Sequence, residues 1–396
     1  YHTQCVGKMH VAPARNLLGF HNVLLNDGYM HHGRSYTESV FDNFCGCNDY
    51  LHWLKSNKGA DADIIDDGME VNSWVCRPFL MEEKYHHTNW TVSESIDFLR
   101  RRDPDKPFFL MTSFVPPHPP YTPPRYYFDL YQDRPLSDPL MGDWAQPDHP
   151  EQNGLIYNTD RGIVHPQALK RAKAAYYGSI THIDHQIARL LQAIFEYRQL
   201  NRTVFVFVSD HGEMLGDHHL FRKFLPYEGS SGVPLLSYDP GDVLGNRKNC
   251  SISALAELRD VMPTLLDIAG LPVPKELDGK SLLPLMRGET DRVRDFLHGE
   301  HTGAGGPEGL GNQFLVTERD KYIWFSRTGR EQYFDLDRDP LELHDAIGDP
   351  GCQERIAQLR TQLAKTLSGR EEGYSDGERL IPGREQTPCL RHILEV

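Results

Sequence analysis

Residues 201–223 read NRTVFVFVSDHGEMLGDHHLFRK. The run 203–208 is apolar and rich in β-branched and aromatic side chains, the pattern of a fully buried strand. That strand opens directly into Asp210-His211-Gly212, with two more histidines and Lys223 close behind. Charged groups resist burial unless they are paired or ligate a metal. The stretch therefore predicts a strand whose carboxyl end carries a ligand site, the position at which open α/β sheets bind their ligands.

The flanking sequence extends this pattern. Residues 165–200 form one long helical stretch, with Ile180, Ile183, Ile187 and Leu191 at helical spacing. Residues 91–102 predict a helix, with Thr91 and Glu94 in capping-box spacing, and KPFFLMTSFV (106–115) a buried strand. Downstream come a short strand in GVPLLSYD (232–239) and a helix that stops at Gly270. This alternation predicts an α/β fold with a large, mostly parallel sheet sandwiched by helices. Beyond about Leu285 the texture changes. Residues 312–336 predict a small antiparallel sheet and residues 352–369 an amphipathic helix packed on it. The expected domains are 1–285, catalytic, and 286–396, a C-terminal subdomain with a polar tail.

Composition narrows the function. No apolar run is long enough to span a membrane. A formal net charge of −14 argues against nucleic acid as a partner, while one local cationic pocket would still hold a small anion. The seven cysteines do not read as a disulfide framework and favour a reducing, cytoplasmic setting. Cys45-Gly-Cys47 is too tight for a usual zinc pair. The acids of DADIIDDG (61–68) are off the EF-hand register, which makes that stretch a solvated loop. The chain opens on YHTQCVGKMHV, without Met or signal-like regions, as though mid-domain.

Three places besides 210–212 carry chemistry. Lys8 and His10 set a cation and an imidazole two residues apart, on one side if extended. SFVPPHPPYTPP stiffens the backbone around His118 with prolines. Lys223 follows the LGDHHLF loop. Lysines hold sulfate or phosphate oxygens as point charges, and histidines move protons near neutral pH. On spacing alone His118 reads equally as a turn residue, and Lys8 with His10 as a surface pair. Two long inserts, about 28–90 and 116–165, are expected to shape a substrate pocket.

The order of GKMH, SFVPPHPP, YYGSITHIDHQIARLL, VFVFVSDHGEMLGDHHLFRK, LDGKSLLPLMRG and QYFDLDRDPLEL resembles the sulfatases of the alkaline-phosphatase superfamily. The resemblance implies that Asp210 and His211 ligate a divalent cation, usually calcium, with Mg²⁺ or Mn²⁺ as alternatives. His211 stands where many relatives have Asn, which loosens the metal assignment. It implies that Lys8 and Lys223 hold the sulfate, that His118 is the general acid at the leaving oxygen, and that His10 assists sulfate release. The substrate would be an aryl or carbohydrate sulfate ester. Phosphonate or phosphodiester hydrolysis is the nearest alternative, and a non-catalytic anion-binding protein the other.

In that family the nucleophile is a formylglycine hydrate, made from the first residue of a C/S-x-P-x-R motif. No such motif occurs here, and CRPFL at Cys76 lacks the Arg. The family's first Asp-Asp metal pair is also absent. Both are expected upstream of GKMH, on an N-terminal segment missing from this sequence. Gly232 stands where many relatives carry Arg.

Overall fold

The structure, a computed structural model, describes residues 1–11, 15–27, 48–145, 158–245, 247–302 and 311–384. Cys45-Gly-Cys47, the GYMHHGRSY part of the first insert and residues 146–157 of the second lie outside the described residues. The chain divides into two compact units.

The first unit comprises Tyr1–Pro139, Pro147–Arg202 and His219–Arg222. Its elements are β1 (His2–Gly7), β2 (Asn22–Leu25), α1 (Asp49–Lys58), α2 (His87–Arg101), β3 (Phe108–Ser113), α3 (Arg125–Asp129) and α4 (Pro166–Glu196). The strands pair in the order β2-β1-β3, both ladders parallel, with Gly7 opposite Leu25 on one side and Ser113 on the other. This is the expected parallel sheet. Val6, Tyr50, Leu54 and Trp90 form its core against α1 and α2. Each wholly buried aliphatic chain of this kind contributes about 1.5–3 kcal/mol.

Two helices differ from expectation. The helix α2 starts at His87 rather than at Thr91, because His86 caps it: its Nδ1 accepts the Thr88 N–H. Thr91 is instead inside the helix, its hydroxyl donating to the His87 carbonyl. On α4 the buried stripe runs through Ala172, Ala175, Ser179, His182, Ile183, Gln186 and Ala193; Ile183 is buried as expected, and Ile180 faces outward. Small and polar residues occupy that face because they bring α4 close to its neighbours. Gly178 shows how close, since a Cβ there would lie 2.3 Å from the Tyr127 carbonyl oxygen.

The second unit comprises Leu140–Gln146, Thr203–His218 and Lys223–Val396. It contains β4 (Phe205–Val208), α5 (Glu228–Ser231), β5 (Leu235–Tyr238), α6 (Val261–Ile268), α7 (Leu283–Arg287), β6 (Leu297–His301), β7 (Asn312–Val316), β8 (Asp320–Phe325), β9 (Glu331–Asp335) and α8 (Gln353–Thr366). The helix α6 ends as expected, with Gly270 in the left-handed region at φ 69°. The strands β4 and β5 pair antiparallel, Val208 opposite Leu235. The Gly212 N–H donates to the Ser230 carbonyl, which brings the end of the intervening loop back to its start. So β5 begins beside the point where β4 ends. The fully buried strand expected at 203–208 is shorter and half-buried, with Phe207 43% exposed. Aromatic and β-branched residues specify strand backbone; they do not by themselves cover both faces.

The C-terminal sheet, order β6-β7-β8-β9, is antiparallel throughout. Leu315, Tyr322, Trp324 and Tyr333 meet Ile356, Leu359 and Leu363 of α8 on one face. Alternation along β8 sends Lys321, Ile323 and Phe325 to the other face, where they are equally buried. The small sheet and its packed helix are as expected.

Candidate active site

In the first unit the three parallel strands present their carboxyl ends together, and each leads toward an ionisable residue. Gly7 closes β1 at φ 109°, and a Cβ there would sit 1.8 Å from the Ser113 carbonyl oxygen. Only glycine allows the two strand ends to meet so closely. The Lys8 N–H then donates to Ser113 O at 3.1 Å. Lys8 thereby leaves the sheet beside the start of the loop that carries His118. Gly7→Ala is expected to cost about 3 kcal/mol through the left-handed backbone and the clash, read as a lower urea midpoint; an unchanged midpoint would contradict this geometry.

The Lys8-Met9-His10 segment is not extended. His10 has φ 59°, so the two side chains are not simply on one side of a strand. Asp27, just past β2, holds this conformation: its Oδ2 accepts the His10 N–H at 2.9 Å, and its Oδ1 lies 3.5 Å from His10 Nδ1. A carboxylate against Nδ1 orients the ring. Sequence reasoning missed Asp27. Its signal was the one that marked Asp210, a carboxylate at the end of an apolar strand.

His118 follows β3. Its N–H donates to the Val115 carbonyl, and its Nδ1–H donates to Pro119 O at 2.8 Å. Because that carbonyl only accepts, Nδ1 carries a proton. Beside His118 lies a cavity of about 60 Å³, walled by Ile64, Val71, Phe79 and His87 of the first insert. Asp67 also lines it and is buried, so the stretch read as a solvated loop is a short 3₁₀ turn with Ile64 and Asp67 turned inward. Cys76 is no rival nucleophile: burial pushes its thiol up to about 11, the reverse of an activated cysteine. It keeps the Cys-x-Pro spacing with Pro78, but Leu80 occupies the position of the motif's Arg.

In the second unit Asp210 and His211 leave β4. Ser209 Oγ donates to the His211 carbonyl, and the His211 Nδ1–H donates to Gly212 O at 2.8 Å. The ring is thus turned with Nε2 toward Asp210, 3.7 Å from its Oδ2. Ligand distances of about 2.0–2.6 Å allow one divalent ion to touch both atoms. A backbone acceptor on the far nitrogen is the arrangement that orients a ligating histidine. Gly212 is required here as well, since a Cβ would lie 2.2 Å from Gly229 O. Among the described residues no group of three or more His, Cys, Asp or Glu is arranged to hold an ion. Lys223 is half-buried, with its ammonium 5.3 Å from the Phe224 ring centre. His218 is a buried packing residue, stacked on Trp144 and accepting the Gly142 N–H.

A sulfatase profile matches residues 1–271, and one described as N-sulphoglucosamine sulphohydrolase, C-terminal, matches residues 216–369. The chain is 53% identical over 393 residues to an arylsulfatase of Clostridium perfringens (strain 13 / Type A), covering 99% of this chain and 81% of the relative. The chain belongs to the sulfatase family.

It is also 31% identical to a choline-sulfatase of Rhizobium meliloti (strain 1021), over 88% of this chain and 65% of that one. A phosphonate monoester hydrolase from Silicibacter pomeroyi has the same fold, with a TM-score of 0.70 at 22% identity, covering 93% and 77% of the two chains. The expected alkaline-phosphatase-like α/β architecture is thus present in this sulfatase. No helix among the described residues is long and apolar enough to cross a membrane. The four described cysteines, Cys5, Cys76, Cys250 and Cys352, are free thiols.

Gly232 ends α5. A Cβ there would lie 2.2 Å from Glu228 Oε1 and 2.8 Å from the Glu228 carbonyl oxygen.

Proposed function

We propose that this chain carries the greater part of a sulfuric ester hydrolase that cleaves an aryl or carbohydrate sulfate to an alcohol and inorganic sulfate. The observation that carries the reading is the 53% identity with an arylsulfatase over nearly the whole chain. The polar residues at the strand ends fit it. Lys8 and Lys223 hold the sulfate oxygens, and each such electrostatic contact is worth about 10²–10³ in rate. Asp210 and His211 hold a divalent cation, which supplies charge stabilisation on the transferring group; calcium is the expected ion, with Mg²⁺ or Mn²⁺ as alternatives. His118 gives a proton to the leaving oxygen. His10, oriented by Asp27, takes one during sulfate release.

The nucleophile of this reading is a formylglycine outside the 396 residues. Its support is the absence of C/S-x-P-x-R from them and the 81% coverage of the arylsulfatase. The cavity beside His118 supports the first insert as a wall of the leaving-group pocket. Sulfated carbohydrate fits as a substrate class because a solved fold relative was captured with a disulfated glucosamine. The deciding experiment is turnover of matched aryl sulfate and aryl phosphonate by the native full-length protein. Dominant sulfate release is expected. Dominant phosphonate turnover would move the activity to the phosphonate hydrolases, and binding without turnover would make the protein an anion-binding relative.

A further inference from the structure

Lys223 sits in a strained stretch of backbone whose local hydrogen bonds, Leu225 N–H to Ser230 Oγ and Ser231 Oγ–H to Pro226 O, are supplemented from the C-terminal sheet. Its neighbours Arg222 and Phe224 have φ of 66° and 84°, conformations that side-chain-bearing residues rarely adopt. The residues that follow are tied, nearly one by one, to the C-terminal part of the same unit. Asn312 of β7 donates through Nδ2 to Phe224 O at 3.1 Å. Lys321 of β8 donates through Nζ to Pro226 O at 2.9 Å. The Tyr227 hydroxyl donates to Gln332 Oε1 of β9 at 2.6 Å. The Glu228 N–H donates to Glu342 Oε2 at 2.8 Å. Lys321 and Glu342 also form an ion pair with each other, each only 1% exposed.

We propose that the C-terminal sheet is the positioning device for Lys223, with Asn312, Lys321 and Glu342 as positioning residues of the anion site. The choice of residue types points the same way. A buried Lys–Glu pair stabilises no more than well-packed apolar residues of equal volume, so what it adds here is a fixed direction for two backbone groups. Glu342 holds its own φ at 58° to reach the pair, a second strained position in the same device. Three adjacent strands thereby set where the 224–228 backbone runs, and with it where Lys223 emerges. Displacing a binding group by about 1 Å costs on the order of 10²-fold in rate.

The inference rests on Lys223 holding the sulfate, and the test separates the two. Native full-length protein and the variants Lys223→Ala, Asn312→Ala, Lys321→Met and Lys223→Ala/Asn312→Ala are compared by inhibition with inorganic sulfate, by kcat/KM on an aryl sulfate, and by Tm. Asn312→Ala and Lys321→Met are expected to weaken sulfate inhibition and kcat/KM by about 10–100-fold. In the Lys223→Ala background, Asn312→Ala should weaken sulfate inhibition no further. A lower Tm with unchanged sulfate inhibition would make these residues merely structural and overturn the proposal. Unchanged inhibition in Lys223→Ala itself would instead remove the reading of Lys223. If Lys321→Met does not fold, Asn312→Ala decides alone, since it removes a neutral side chain and leaves the buried ion pair in place.

Discussion

Replacing His118 by Ala is expected to lower kcat/KM by about 10²–10⁴-fold for alkyl or sugar sulfates, the range of a lost general acid. For aryl sulfates with acidic phenols the loss should be much smaller. The reason is where the proton is needed. A basic leaving oxygen cannot depart as its anion, whereas an acidic phenolate departs unaided. The His118 Nδ1–H is committed to Pro119 O, so a proton given to the leaving oxygen would have to come from Nε2 of the imidazolium form. A series of sulfate esters graded by leaving-group acidity measures this directly. The variant's deficit should grow as the leaving group becomes more basic, and a flat deficit would assign His118 to binding rather than proton transfer.

The second large effect is acid lability. His86, His87 and His182 form a buried cluster: His86 stacks on His87 at 4.2 Å and meets His182 edge-on at 4.9 Å, while His182 stacks on Tyr127 at 4.6 Å. Burial pushes His87 down to about 4 and His182 down to about 3, and burial first, then its histidine neighbours, hold His86 well below the usual range. The hydrogen bonds agree with neutral rings. His86 Nδ1 accepts from Thr88 N–H, and its Nε2–H donates to Thr122 O. Folded-state values below the unfolded 6.5 mean that the unfolded chain binds more protons under that pH. The cluster's contribution is therefore complete above about pH 6.5 and is lost as pH falls toward 4 and 3. Between pH 7 and 5, His87 and His182 should each remove about 2 kcal/mol, about 4 kcal/mol together, with His86 adding to the loss. Urea unfolding at the two pH values measures it. His87→Gln should lose about 2 kcal/mol less over that interval than the native protein, and equal losses would show that His87 is not part of the effect.

Legibility in the sequence followed the range of the interaction involved. Local backbone preference is written in a few residues, so helix α4, the Gly270 stop, the antiparallel C-terminal sheet with its helix and the strand conformation of β3 were readable. The strand β3 is half-buried rather than buried, however, with Phe109 and Met111 exposed. Lys8, His10, His118, Asp210, His211 and Lys223 were singled out as candidates because polar residues beside apolar runs are costly unless they serve a ligand. Where caps and packing faces were concerned, sequence reasoning went astray. Thr91 had the spacing of a cap, but His86 took that role, and Ile180 turned outward while Ser179 and His182 turned in.

The sequence by itself determined the α/β class, the family and the residue types available for sulfate and metal chemistry. Those follow from short-range propensity and from ordered motifs. Only the tertiary structure decided how these residues are held: Asp27 against His10, Gly7 against Ser113, Asn312 and Lys321 on the backbone after Lys223. Each joins positions far apart in the chain, and the antiparallel pairing of β4 with β5 is equally set by a contact at a distance, Gly212 with Ser230. Such contacts have no local signature, because their free energy exists only after the intervening chain has been ordered and its loop-closure entropy overcome.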